Sequence, residues 1–199
     1  MSARTPQPFD ARRLDVARFT LEAKTLEGAV PLEKLPRLLE ETATQAITAD
    51  APVVIDWQAQ GEMRRATRQD MEPDDGTMHP ALHLRVQGRL PLVCQRCLQA
   101  LWTEVVVDRH FLFAPDEAQA VRLDEHVQDD VLALAEDFDL LGLIEDELLM
   151  ALPFAPHHRQ CQQALPVRNT RLDGAVLSQP HSFALLAKLK KQKPDPDNS

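Results

Sequence analysis

The residues best placed to do chemistry are Cys94 and Cys97, separated by Gln95 and Arg96. A two-residue gap lets both thiolates point at one tetrahedral metal from a tight turn, but one such pair is only half a site. The second half is offered by His158 and Cys161, which repeat the same spacing, with His157 as the competing imidazole. Three thiolates and an imidazole are soft ligands that favour zinc and form an accepted structural set. Two other readings fit the same residues. In one, Cys94 and Cys97 are small turn residues and Cys161 is an ordinary loop thiol. In the other, Cys-x-x-Cys is a thiol oxidoreductase motif, which needs a helix N-terminus to lower a thiol pKa, whereas strands are expected on both sides here.

Those strands are the clearest pattern in the chain. Leu82, Leu84, Val86, Leu90 and Leu92 occupy even positions, with His83, Arg85, Gln87 and Arg89 on odd ones. This period of two marks a half-buried strand. Beyond the cysteines, Val105, Val107, Phe111 and Phe113 share one parity within 101–113, so a second strand should pair with the first around the cysteine turn. Further strands are expected over 17–25, from Ala17, Phe19 and Leu21, and around Val53, Ile55 and Trp57. Gly61 to Pro80 reads as a long loop or hairpin tip.

Helices are expected after Pro31, with Leu32, Leu35, Leu38 and Leu39 at helical spacing, and after Asp139, a capping residue for an apolar face of Leu140, Leu141, Ile144, Leu148 and Ala151 stopped by Pro153. Pro36 interrupts the first and is the alternative start. A third amphipathic stretch carries Phe183, Leu185, Leu186 and Leu189 and ends in lysines. The expected class is α+β, an antiparallel sheet with a long hairpin plus packed helices. Residues 1–10 read as a flexible lead-in, 11–191 as one domain containing an acidic segment at 114–151, and 192–199 as a disordered tail.

Composition narrows the function. The 199 residues are 44% hydrophobic and 27% charged, enough for a real core. Aromatic residues make only 5%, which argues against stacking platforms for single-stranded bases. The net charge of −9 repels phosphate overall. Its source is local: 114–151 holds twelve carboxylates against the single Arg122. No apolar run suits a membrane span and the first residues lack a secretory layout, so a cytoplasmic location is expected.

Within this frame, Glu145, Asp146 and Glu147 form a candidate acidic face for a basic partner. Arg85, Arg89, Arg96, Lys188, Lys190 and Lys191 are candidate contacts to RNA phosphate or to a partner, and Arg64, Arg65 and Arg68 form a smaller basic group. No carboxylate pair or serine-histidine-acid arrangement marks a catalytic centre, so no catalytic residues are assigned.

Three stretches, Leu92–Leu98, Asp139–Pro153 and Pro180–Lys190, together resemble the YceD family of large ribosomal RNA subunit accumulation proteins. The resemblance spans roughly residues 10 to 191 in the same order. It implies a non-enzymatic ribosome-biogenesis role in synthesis, processing or stability of 23S ribosomal RNA; the charge of 114–151 suits a basic ribosomal protein or processing factor as partner, with a ribosomal RNA precursor as the competing one. Some relatives carry a second cysteine pair after the acidic helix, so His158 stands where its first thiol would be. A zinc-stabilised interaction module with an indirect effect on RNA is the alternative function.

Overall fold

The computed structural model describes residues 9–48, 52–66 and 76–161. All of them fall in the first of two compact units, 1–163; the second, 164–199, lies outside the described residues. So do the expected Phe183–Leu189 helix and Lys188, Lys190 and Lys191.

Five strands form one sheet in sequential order: β1 (Thr25–Pro31), β2 (Val54–Arg65), β3 (Met78–Val93), β4 (Ala100–Ala114) and β5 (Asp130–Ala133). The first four are antiparallel and β5 adds parallel to β4, so the class is α+β with a mixed sheet. β3 and β4 pair without interruption from Val93 opposite Ala100 to Ala81 opposite Leu112, which places the cysteine turn at the hairpin end as the alternation predicts. Val86 opposite Val107 and Leu82 opposite Phe111 put both apolar rows on one face.

That face is covered by α1 (Val16–Leu21), α2 (Pro36–Glu40) and α4 (Leu140–Ala151). Phe19, Leu38, Leu140, Ile144 and Leu148 join the sheet's Ile55, Leu84, Leu90 and Phe113 in a continuous core. At one end of the opposite face, α3 (Glu117–Asp124) closes a small cluster of Ala81, Leu112 and Val127, packed by Leu123.

Three expectations need correction. The expected strand at 17–25 is α1. Its Asp15 side chain accepts from the Arg18 N–H at 3.0 Å, and Val16, Phe19 and Thr20 bury one helical face that the period-two reading had split. The helix expected from Pro31 begins instead at Pro36, which sits in the first turn where its missing N–H costs nothing; Pro31 ends β1, and Leu32–Lys34 is a 3-10 turn. The stretch from Gly61 to Pro80 is not all loop, because β2 runs to Arg65 and β3 begins at Met78.

The acidic stretch also folds differently from a solvated face. Glu145 is buried, and its Oε1 accepts the Arg37 and Leu38 backbone N–H groups at 2.8 and 3.2 Å while Oε2 binds the Arg37 guanidinium at 3.0 Å. A side chain of α4 thus caps α2, whose own N-terminal residues supply no cap. Glu147 is also buried, 3.8 Å from Arg109, a guanidinium that also pairs with Asp130. Only Asp146 of the three is exposed, and it holds the other end of Arg37 at 2.6 Å. Glu145, Asp146 and Glu147 therefore do not present a common acidic face: two of them tie α4 inward.

Two tests follow from this packing. A Cβ at Gly61 would stand 2.8 Å from the Phe19 carbonyl oxygen, a backbone atom that cannot swing aside. Gly61→Ala should therefore cost about 2 kcal/mol in denaturant unfolding, and an unchanged midpoint would contradict so close an approach. Burial pushes the Glu147 carboxyl above its usual range, with Arg109 opposing. The cost of ionising it is full above that raised pKa and fades as pH falls toward the ordinary glutamate value. Glu147→Gln should melt at or above the parent at pH 8, with the gap narrowing toward pH 5; a lower melting temperature at pH 8 would mean that the Arg109 pair outweighs burial.

Candidate metal centre

The turn that ends β3 is built for two inward thiols. The Cys94 N–H donates to the Gln99 carbonyl at 2.9 Å and the Leu98 N–H to the Cys94 carbonyl at 2.8 Å, closing a tight loop. Leu98 takes the left-handed conformation at φ 60°, which turns the chain back into β4. Cys94 and Cys97 are consequently buried, at 0% and 6% exposure.

The second half arrives from the segment after α4. That helix ends at Ala151, and Pro153 and Pro156 lead the chain across the hairpin end, where the Pro156 carbonyl accepts the Gln95 N–H at 2.8 Å. Beyond it, the His158 N–H donates to Cys94 Sγ at 3.4 Å, and His158 and Cys161 lie beside the thiols. Cys94 Sγ and Cys161 Sγ are 3.9 Å apart, Cys97 Sγ and His158 Nδ1 are 3.4 Å apart, and the four donor atoms all lie within 4.8 Å of one another. A tetrahedral zinc with bonds of about 2.3 Å to sulfur and 2.0 Å to nitrogen requires separations of about 3.8 Å between sulfurs and 3.5 Å from sulfur to nitrogen. The donor set is compatible with that ion, and these two separations match what it needs. His157 turns away, its Nδ1 3.0 Å from the Ala155 carbonyl, so His158 is the imidazole that meets the thiols.

Burial pushes the Cys94 thiol up, but N–H groups of His158, Arg96 and Cys97, helped by the Cys97 thiol, outweigh it and bring the pKa down to about 5. Cys161 moves the other way, to about 11, raised by burial and then by its hydrogen bonds to Cys97 and Cys94. N–H groups aimed at sulfur stabilise a thiolate, the form a metal binds. A depressed thiol is also what an oxidoreductase needs. However, a thiol that attacks disulfides must be reached by them, and Cys94 is fully buried beside a turn rather than at a helix start.

The candidate contact residues do not converge on the centre. Arg96 lies exposed at the turn tip. Arg85 and Arg89 share the open face of the sheet, where Arg85 stands 3.4 Å from Asp108 and Arg89 lies over the Trp102 ring at 5.5 Å. Glu27, Asp56 and Asp108 line the same shallow face, so it is mixed in charge. The alternation does not reveal that the His83 and His110 rings stack at 4.0 Å across β3 and β4, with His83 Nε2 2.6 Å from Asp108; the signal was two histidines that fall opposite each other once the register is known. Also missed were Arg37 and Arg109, partners of the buried glutamates, which look like ordinary surface arginines in sequence.

The fold and site together define a small α+β protein whose hairpin end carries a Cys3His cluster that could hold a metal ion. The family described as large ribosomal RNA subunit accumulation protein YceD matches residues 82–190, and the chain belongs to that family. The protein of that name from Haemophilus influenzae is 30% identical over 113 residues, 54% of this chain and 64% of the relative, so somewhat less than two thirds of the relative's length is covered. No solved structure matches.

Protein purified without chelator should carry one zinc per chain, as read by elemental analysis. Stripping it should lower the melting temperature, and Cys97→Ser should abolish stoichiometric zinc. Metal-free protein that melts identically with and without chelator would rule the centre out.

Proposed function

We propose that the chain supports the accumulation of large-subunit (23S) ribosomal RNA without catalysing a reaction, acting in the cytoplasm through a protein or RNA partner. The observation that carries this reading is the family match over 82–190, which contains the β3–β4 hairpin from Leu82 onward and both halves of the Cys3His cluster. In this reading Cys94, Cys97, His158 and Cys161 hold zinc, which supplies a rigid cross-link between the hairpin end and the segment after α4. Among the described residues no helix is long and apolar enough to cross a membrane.

A protein partner is favoured over bare RNA, because the net charge is −9 and Arg85 already stands beside Asp108. Arg96, Arg89 and, beyond the described residues, Lys188, Lys190 and Lys191 remain the contacts through which RNA phosphate would be met.

In bacterial cells lacking their own relative, expression of this chain should restore the ratio of 23S to 16S ribosomal RNA, and Cys94→Ser with Cys97→Ser should lose most of that rescue. The tagged protein purified at low and at high salt separates the partner classes. Precursor RNA lost at high salt indicates phosphate contact, whereas a ribosomal protein that survives nuclease treatment indicates a protein partner. Failure of the wild-type chain to rescue, at normal expression, would overturn the role.

A further inference from the structure

β4 is a long strand whose second side is paired over only a short stretch among the described residues. β3 pairs with it from Ala100 to Leu112, but on its other side β5 reaches only Phe111–Ala114. Among the described residues no strand pairs with that side of Ala100–His110, an edge of about 36 Å at 3.3 Å per residue. Its register with β3 is continuous, with no bulge to twist it away, and it contains no proline. The opposite edge of the sheet, β1, is seven residues long and ends in Pro31. An edge of this length that no described strand pairs with is a template for another strand.

We propose that the β4 edge binds an extended basic peptide segment by strand addition. On the open face the edge displays Trp102, Glu104, Val106 and Asp108 in turn, all exposed, with Val106 at 62%. Glu104 makes no ion pair among the described residues, and Asp108 already leans toward Arg85 and His83. The matching strand carries an apolar residue opposite Val106 and a Lys or Arg two positions to either side, opposite Glu104 and Asp108. Main-chain hydrogen bonds supply the affinity and these alternate side chains the selectivity.

A second copy of the chain is the competing occupant. Self-pairing of the whole edge about Val105 sets Glu104 against Val106 and Trp102 against Asp108, and gathers the carboxylates of both copies on one face of the ribbon. A basic strand instead brings a cation to Glu104, the carboxylate of this edge that makes no ion pair among the described residues, since Asp108 already meets His83 and Arg85.

The test uses the full chain and a labelled, end-capped peptide built on the core Lys-Thr-Val-Thr-Lys, followed by fluorescence anisotropy. Two further peptides carry N-methyl groups on the amides of one edge or of the other. Saturable binding, abolished by one methylation pattern and kept by the other, is the expected result, with Glu104→Lys weakening it at least tenfold while the circular dichroism spectrum is unchanged. Equal binding of all three peptides would reduce the contact to charge attraction and overturn strand addition, as would no binding at millimolar peptide. A sedimenting dimer that Val106→Lys converts to monomer would assign the edge to a second copy instead.

Discussion

The uninterrupted pairing of β3 with β4 is the constraint on which the other features rest. Because side chains alternate along a strand, a slip of one residue would send Leu82, Leu84 and Val86 to solvent and bring Arg85 and Gln87 into the core. Thirteen paired positions hold that alternation in place, from the cysteine turn to the contact with β5. The same register sets the two thiols at the hairpin end, lays His83 over His110, and aims Arg109 at the side of the sheet where α4 packs. The placement of the two thiols, the core face and the open face are consequences of a single hairpin.

Electrostatics plays a different part from the one its sum suggests. The acidic segment is where the chain is most negative, yet its two most buried carboxylates are structural ties. Glu145 caps a five-residue helix with orphaned N–H groups, and Glu147 lies beside an arginine projecting from β4. Burying a carboxylate is tolerable when hydrogen bonds and a guanidinium meet it, and Glu145 has both. Net charge describes the field around the protein; it does not say which carboxylates produce a surface.

Much of this was legible in the sequence, for identifiable reasons. The β3 and β4 alternation is long, so the hairpin, its core face and the position of Cys94 and Cys97 could be read directly, as could α4 with its Asp139 cap. The pairing of those thiols with His158 and Cys161 was readable because metal ligands repeat a spacing. The first helix was not, because a six-residue helix offers too few turns to separate its period from a strand's, and Phe19 and Leu21 fit both. The inward turn of Glu145 and Glu147 depends on Arg37 and Arg109, residues from elements whose proximity no local pattern records. The stacked histidines and the free edge of β4 are likewise properties of pairing, visible only after the strands have been placed.

The two halves of the Cys3His cluster are separated by almost the whole second half of the described fold, with His158 61 positions after Cys97. During synthesis the first two thiols leave the ribosome ahead of the last two ligands by roughly 3 to 12 s at ordinary elongation rates. In that interval the hairpin can form but the cluster cannot close, because the segment that crosses the hairpin end follows α4. Closure of the cluster is therefore the final fastening of the described fold, and it reports that the strands and the helix before it have already been made.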